Sequence, residues 1–150
     1  MLIVREIAPG DHEQWLPLWL GYNAFYGRSG ETALDEAVTR STWARFFDAA
    51  EPVHALVAEM DGQLVGIAHY IFHRVTTQIA PTCYLNDLFT DETRRGAGIG
   101  RALIEELADR ASEVGCARVY WLTHETNTTA MALYDKVAQR SGFVQYARKL

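Results

Sequence analysis

Tyr84-Leu-Asn-Asp-Leu-Phe-Thr-Asp-Glu-Thr-Arg-Arg-Gly-Ala-Gly-Ile-Gly-Arg-Ala-Leu103 is the stretch that decides how the rest of the chain is read. Tyr84, Leu85, Leu88, Phe89 and Thr90 are aromatic, apolar or β-branched, the composition of a strand. A polar link, Asp91 to Arg94, leads into glycines on alternate positions, Gly96, Gly98 and Gly100. Ile99, Leu103, Leu107, Ala111 and Val114 then recur at steps of four, four, four and three, which marks one face of a helix. Strand, glycine loop and helix start together offer backbone N–H groups to an anion. The first amides of a helix have no intrahelical partner, and the macrodipole adds positive potential there. Glycine lets such a backbone approach closely and take positive φ without a Cβ clash. Arg94, Arg95 and Arg101 add cationic donors, so the segment reads as a pyrophosphate cradle.

The spacing excludes two common cradles. A Walker loop needs Gly-x-x-x-x-Gly-Lys-Ser/Thr, and no lysine follows these glycines. A dinucleotide fingerprint needs Gly-x-Gly-x-x-Gly, and here the third glycine comes one residue early. What the loop does fit is Arg-x-x-Gly-x-Gly, as Arg95, Gly98 and Gly100, directly after a strand.

Working outward, 150 residues with 49% hydrophobic and 22% charged content predict one soluble domain spanning 1–150. No run approaches the roughly 20 apolar residues of a membrane span. The opening Met-Leu-Ile-Val-Arg-Glu lacks the charged start and long apolar core of a signal peptide, which predicts a cytoplasmic protein without a membrane partner. Cys83 and Cys116 suggest neither a disulfide framework nor metal spacing, so buried thiols and no metal are expected. A net charge of −5 argues against nucleic acid and is compatible with a cationic substrate.

Leu2 to Ile7 reads as a first strand closed by Pro9-Gly10-Asp11. Asp11 is a candidate N-cap for a helix carrying Trp15, Leu18, Trp19, Tyr22 and Tyr26 on one face, with Pro17 as a late start or kink. A second helix spans Leu34 to Phe47, with Val38, Trp43, Phe46 and Phe47 as packing residues. His54–Met60 and Gln63–Phe72 form a hairpin about Asp61-Gly62. Gly115 ends the glycine helix, and Arg118 to Thr123 is a strand parallel to the Tyr84 strand. Asn127 caps a short helix with Ala130, Leu133, Tyr134 and Val137 on one side; Gly142 breaks it, and Phe143 to Lys149 is a last strand. The expected fold is α/β (α+β): a mixed, mostly antiparallel sheet flanked by helices, in the order β-α-α-β-β-β-α-β-α-β.

That order and loop resemble the GNAT family of N-acetyltransferases. The resemblance is strongest over Tyr84 to Leu103 and from Trp121-Leu-Thr-His-Glu-Thr-Asn127 through Tyr134. Tyr-Leu-x-Asp-Leu-Phe, Trp-x-Thr-x-x-x-Asn, Leu133-Tyr134-Asp135 and Ser-Gly-Phe-Val-Gln-Tyr look closest to the fungal histone-acetyltransferase-like branch and its bacterial relatives. Asn86 stands where that branch often has glutamate, Thr90 where it has valine and Glu92 where it has proline. The resemblance implies transfer of acetyl from acetyl-coenzyme A directly to a primary amine in a ternary complex, and it suggests a homodimer. Small cationic amines and peptide lysine both remain open as acceptors; the alternative is a non-catalytic acetyl-coenzyme A sensor.

On that resemblance, backbone groups of Leu88, Phe89 and Thr90 pair with the pantetheine arm like an added strand, and an N–H near Leu88 faces the oxyanion. Arg95, Gly96, Ala97, Gly98, Ile99, Gly100 and Arg101 hold the pyrophosphate, and Asn127 and Tyr134 close the cofactor site from the other wall. Tyr134, seven residues after Asn127, matches the family's catalytic tyrosine, and a phenol protonated at neutral pH can hand its proton to a thiolate. Asp87 is the second catalytic candidate: it could accept the amine proton through water, attract a cationic substrate or cap a neighbouring backbone group. Tyr26, His124 and Glu125 complete the expected amine site beside Asp87. His54, His69 and His73 lack ligand spacing and carry no assigned role.

Overall fold

The computed structural model describes residues 1–150. Five strands form one sheet in the order β1-β2-β3-β4-β5. They are β1 (Leu2–Glu6), β2 (Val53–Met60), β3 (Gln63–His73), β4 (Thr82–Thr90) and β5 (Val119–Tyr120). The first four are antiparallel, and β5 lies parallel to β4 after a crossover through a helix. The helices are α1 (His12–Phe25), α2 (Glu36–Arg45), α3 (Ile99–Val114) and α4 (Thr128–Val137). No helix is long and apolar enough to cross a membrane.

Two apolar clusters sandwich the sheet. Leu56, Val65, Ala68, Leu85, Leu103 and Leu107 belong to one, under α3. Trp15, Leu18, Trp19, Val57, Leu64 and Ile67 form the other, under α1, with Trp43 and Phe46 of the α2 region packed against it. Close approach on each face depends on a glycine. A Cβ on Gly66 would lie 2.8 Å from Ile99 Cγ2 and 3.0 Å from Leu103 Cδ1, so α3 can settle on β3 only where that carbon is missing. A Cβ on Gly21 would lie 2.9 Å from the Phe89 ring, which brings α1 down onto β4 in the same way.

Several elements differ from the sequence reading. Residues 138–150 form no strand, and Phe143, Val144 and Tyr146 are exposed. The strand expected over Arg118 to Thr123 pairs only at Val119 and Tyr120, so the C-terminal segment has no long edge to bond to within its own chain. α1 runs from His12 straight through Pro17. Asp11 precedes it without capping it, because its carboxylate accepts from Arg5 Nη1 at 2.8 Å and from the Ala8 amide at 2.7 Å. α2 is shorter than expected, started by the Asp35 carboxylate accepting from the Ala37 amide, and Val38 and Phe47 are exposed. In α3, Ile99, Leu103, Leu107 and Ala111 are buried but Val114 is exposed in the last turn. α4 stops at Val137, ahead of Gly142.

Candidate active site

One extra residue in β4 aims the chemistry. Tyr70 pairs with Leu85 and His69 with Asp87, which leaves Asn86 as a bulge. Strand side chains alternate, so in a regular strand Asp87 would share the face of Leu85, under α3. The bulge resets the alternation and turns Asp87 toward α1 and α2.

There Asp87 meets His69 in a buried chain of hydrogen bonds. Trp15 Nε1–H donates to His69 Nε2 at 3.0 Å. Nε2 is therefore the acceptor of a neutral ring, and Nδ1–H donates to Asp87 Oδ2 at 2.8 Å, a tautomer assigned from this network. Asn86 Nδ2 donates to Asp87 Oδ1 at 2.7 Å. Burial pushes the Asp87 carboxyl up, but the His69 hydrogen bond and the neighbouring Tyr22 and Asn86 groups outweigh it, holding the carboxyl below the usual carboxylate range. Both His69 nitrogens are engaged in hydrogen bonds, so the ring fixes the orientation of the Asp87 carboxylate. His69 lacks ligand spacing, and no sequence signal links it to Asp87, because only the β3–β4 register brings them together.

Asp87 opens into a cavity of about 430 Å³ between α1, α2, β3 and β4, lined also by Trp19, Tyr22, Arg28, Arg45, Phe46 and Asn86. Burial, reinforced by the Asp87 charge, pushes the Tyr22 phenol well above its ordinary range.

A second cavity, about 580 Å³, begins at the next residues of the same strand. β4 pairs with β5 only at Cys83 and Tyr84, so the sheet splits beyond that point. The Asp91 amide donates to Val65 O at 2.8 Å. In an antiparallel ladder this makes Phe89 and Asp87 the hydrogen-bonded partners of Ile67 and His69. Leu88 and Thr90 consequently turn their N–H and C=O groups toward the open side of the split. Leu88, Phe89 and Thr90 form one wall of the cavity, and Asn127 and Tyr134 belong to the other.

The glycine loop closes the end of this cavity. Gly98 sits at the N-cap of α3 in the left-handed region (φ 76°), where a Cβ would meet no atom within 4 Å. The first bond of the helix runs from the Ala102 amide to Gly98 O at 3.0 Å, so the preceding amides have no intrahelical partner. Arg94, Arg95, Arg101 and Lys136 border the same space. Unpartnered amides, an open glycine turn and clustered cations fit a pyrophosphate, and the split sheet edge fits an amide-bearing arm.

Of the residues singled out by sequence, Leu88, Phe89, Thr90, Arg95, Gly96, Gly98, Ile99, Gly100, Arg101, Asn127 and Tyr134 line this cavity. Ala97 does not line it directly. Asn127 precedes α4 but makes no capping bond; its side chain reaches Thr123 Oγ1 at 3.4 Å. Tyr134 packs edge-on to Trp121, and burial pushes its phenol up to about 12. Tyr26 also lines the second cavity, away from Asp87. His124 and Glu125 are exposed and line neither cavity; the His124 ring is tied to Thr126 Oγ1 at 2.7 Å. Cys83 is buried and Cys116 half-buried. Arg28, Arg45 and Lys136 are the charged cavity residues that sequence reasoning missed, since an isolated arginine in a helix or loop carries no periodic signal.

Residues 15–138 match the acetyltransferase (GNAT) family model. The chain belongs to the GNAT acetyltransferase family. It is 36% identical over 149 residues to the D-amino-acid N-acetyltransferase HPA3 of Saccharomyces cerevisiae, covering 98% of this chain and 90% of that one. A thialysine N-epsilon-acetyltransferase of Bos taurus is 28% identical over 89% of this chain and 81% of its own. Among solved structures, an aminoglycoside acetyltransferase from an uncultured soil metagenomic sample, in complex with sisomicin, superposes with a TM-score of 0.80 at 18% identity, covering 99% and 96%. This GNAT chain is an acetyl-coenzyme A-dependent N-acetyltransferase.

Proposed function

We propose that the protein acetylates the primary amine of a small acceptor bound in the Asp87 cavity, by direct attack within a ternary complex. The observation that carries this reading is the adjacency of the two cavities. They occupy successive residues of β4, Asn86–Asp87 against Leu88–Thr90, and they share Tyr22. Acetyl-coenzyme A supplies, when bound, a thioester whose acyl carbon a neutral amine attacks to give an amide and a free thiol.

The chain's own residues divide the remaining work. Asp87, held below the usual carboxylate range, is a weak base and a strong anchor, so it attracts and orients the incoming ammonium, which sheds its proton to water. The Leu88 N–H, on the open edge of β4, faces the position where oxyanion charge develops. Tyr134 keeps its proton throughout the neutral range and supplies it on the thiolate side. Neither cysteine serves as a nucleophile in this scheme; burial pushes the Cys83 thiol up to about 12.

A small acceptor fits better than a basic peptide. The cavity holds two guanidinium groups, Arg28 and Arg45, which repel flanking cationic residues. The D-amino-acid and thialysine acetyltransferases among the relatives are named for acceptors in the small-amine class. The test is thiol release across amino acids, polyamines, aminoglycosides and lysine-bearing peptides. Turnover confined to small amines is expected; turnover only with peptides would reverse the assignment.

We also propose a cytoplasmic homodimer. The exposed Phe143, Val144 and Tyr146 lie on a tail beside the short β5, an unpaired edge suited to a second copy. Sedimentation of the chain shortened after Ala138 should give a monomer where residues 1–150 give a dimer.

A further inference from the structure

The acceptor cavity is bipolar, and its positive end is built as carefully as its negative one. Arg28 Nε donates to Asn23 Oδ1 at 2.7 Å, and Asn23 Nδ2 donates to Trp19 O at 2.9 Å from a position only 3% exposed. The guanidinium carbon lies 5.8 Å from the Tyr22 ring centre and 5.4 Å from that of Tyr26. One nitrogen is thus committed to a buried amide and the plane is steadied by two aromatic rings. The two Nη groups have no carboxylate partner in the structure, whereas Arg5, Arg101 and Arg110 each have one within 2.9 Å. Arg45 shares the cavity and reaches Glu51 only at 3.9 Å. Tyr22 spans the gap, with its ring beside Arg28 and its hydroxyl end beside Asp87.

An anchored guanidinium with both outer nitrogens free is a fork for a carboxylate. With an ammonium site formed by Asp87 in the same cavity, the complementary ligand carries both charges. We infer that Arg28 is the specificity-determining residue that binds the carboxylate of an amino acid while Asp87 holds its ammonium. This inference rests on the acetyl-transfer reading above and names the substrate class of that site.

The test compares amino acids with the amines left when the carboxyl group is removed: both enantiomers of alanine and lysine against ethylamine and cadaverine. The protein should prefer the carboxylated member of each pair by at least about tenfold in kcat/KM, because a site built to bind a polar group rejects the analogue lacking it. Arg28→Met should collapse that ratio to near unity, chiefly through a higher KM for the amino acid, and Arg28→Lys should restore part of it. Equal kcat/KM within each pair, or a proportional loss on both members in Arg28→Met, would overturn the assignment while turnover itself left the acetyl-transfer reading intact. Calorimetry on the protein loaded with coenzyme A gives a readout independent of turnover. Amino-acid binding that is lost in Arg28→Met supports the inference, and no binding to the unaltered protein overturns it.

Discussion

Asp87 and His69 face each other across β3 and β4 with 2.8 Å between Oδ2 and Nδ1, and the far nitrogen of that ring is held by the Trp15 indole. This arrangement makes His69 a fixed donor. Asp87 stays ionised despite burial because its lone pairs are met by His69 and Asn86 rather than by water.

His69→Phe keeps a ring of similar shape but removes the donor to Asp87 and the acceptor for Trp15. A loss of about 1–3 kcal/mol is expected from the unsatisfied groups. The pH dependence should change in a defined direction. A carboxyl held below its ordinary value contributes stability above the unfolded pKa, and that contribution is lost as pH falls through the folded value. Without His69, burial is opposed only by Tyr22 and Asn86, so the loss begins at a higher pH. Thermal melts from pH 3 to pH 7 report it; parallel pH curves for both proteins would show that His69 does not set the Asp87 charge.

Gly98→Asp places a carboxylate at the open turn of the loop. The left-handed backbone there costs a non-glycine residue roughly 1–2 kcal/mol. The larger effect should fall on coenzyme A affinity, at least about tenfold or 1.4 kcal/mol by calorimetry. Unaltered affinity would remove the loop from the pyrophosphate site.

Tyr134→Phe should lower kcat with the coenzyme A dissociation constant nearly unchanged. A positioned general acid contributes typically about 10²–10⁴-fold. A thiol with an ordinary pKa near 8.5 is a tolerable leaving group, so the lower end is expected. With the phenol pushed up to about 12, no falling limb of kcat from this group should be seen below that pH. Full activity in the variant would assign the residue to packing against Trp121.

Gly66→Ala tests how the sheet seats the cradle. Its new Cβ would press on Ile99, the first residue of α3, and on Leu103. Overpacking of this kind costs about 1–3 kcal/mol, and displacement of the helix start should weaken coenzyme A binding as well. A lower melting temperature with unchanged cofactor affinity would mean that the helix yields without moving the loop.

Much of this was legible in the chain. The strand–glycine–helix segment, the hairpin at Asp61-Gly62 and the apolar row from Ile99 to Ala111 are local patterns, and local patterns survive folding. Gly98 was readable for the same reason, since positive φ at a helix start leaves a glycine in the sequence. The Asp87 site was readable only in part. Its facing depends on the Asn86 bulge, which changes no composition, and its partners His69 and Trp15 lie 18 and 72 positions away in the chain. Arg28 is positioned by Asn23 through a contact that has no periodicity. The missing last strand has a different cause. Phe143 to Lys149 has strand composition, but a strand needs an edge, and β5 ends after two residues.

The central claim is direct transfer of acetyl between two ligands seated side by side along β4. Initial rates measured over a grid of acetyl-coenzyme A and amino-acid concentrations, with thiol release and the mass of the acetylated amine read together, test it most directly. Intersecting lines with one acetylated amino acid formed per thiol released is the result this account predicts. Parallel lines with an acetylated protein intermediate, or tight cofactor binding with no acetylated amine, would contradict it.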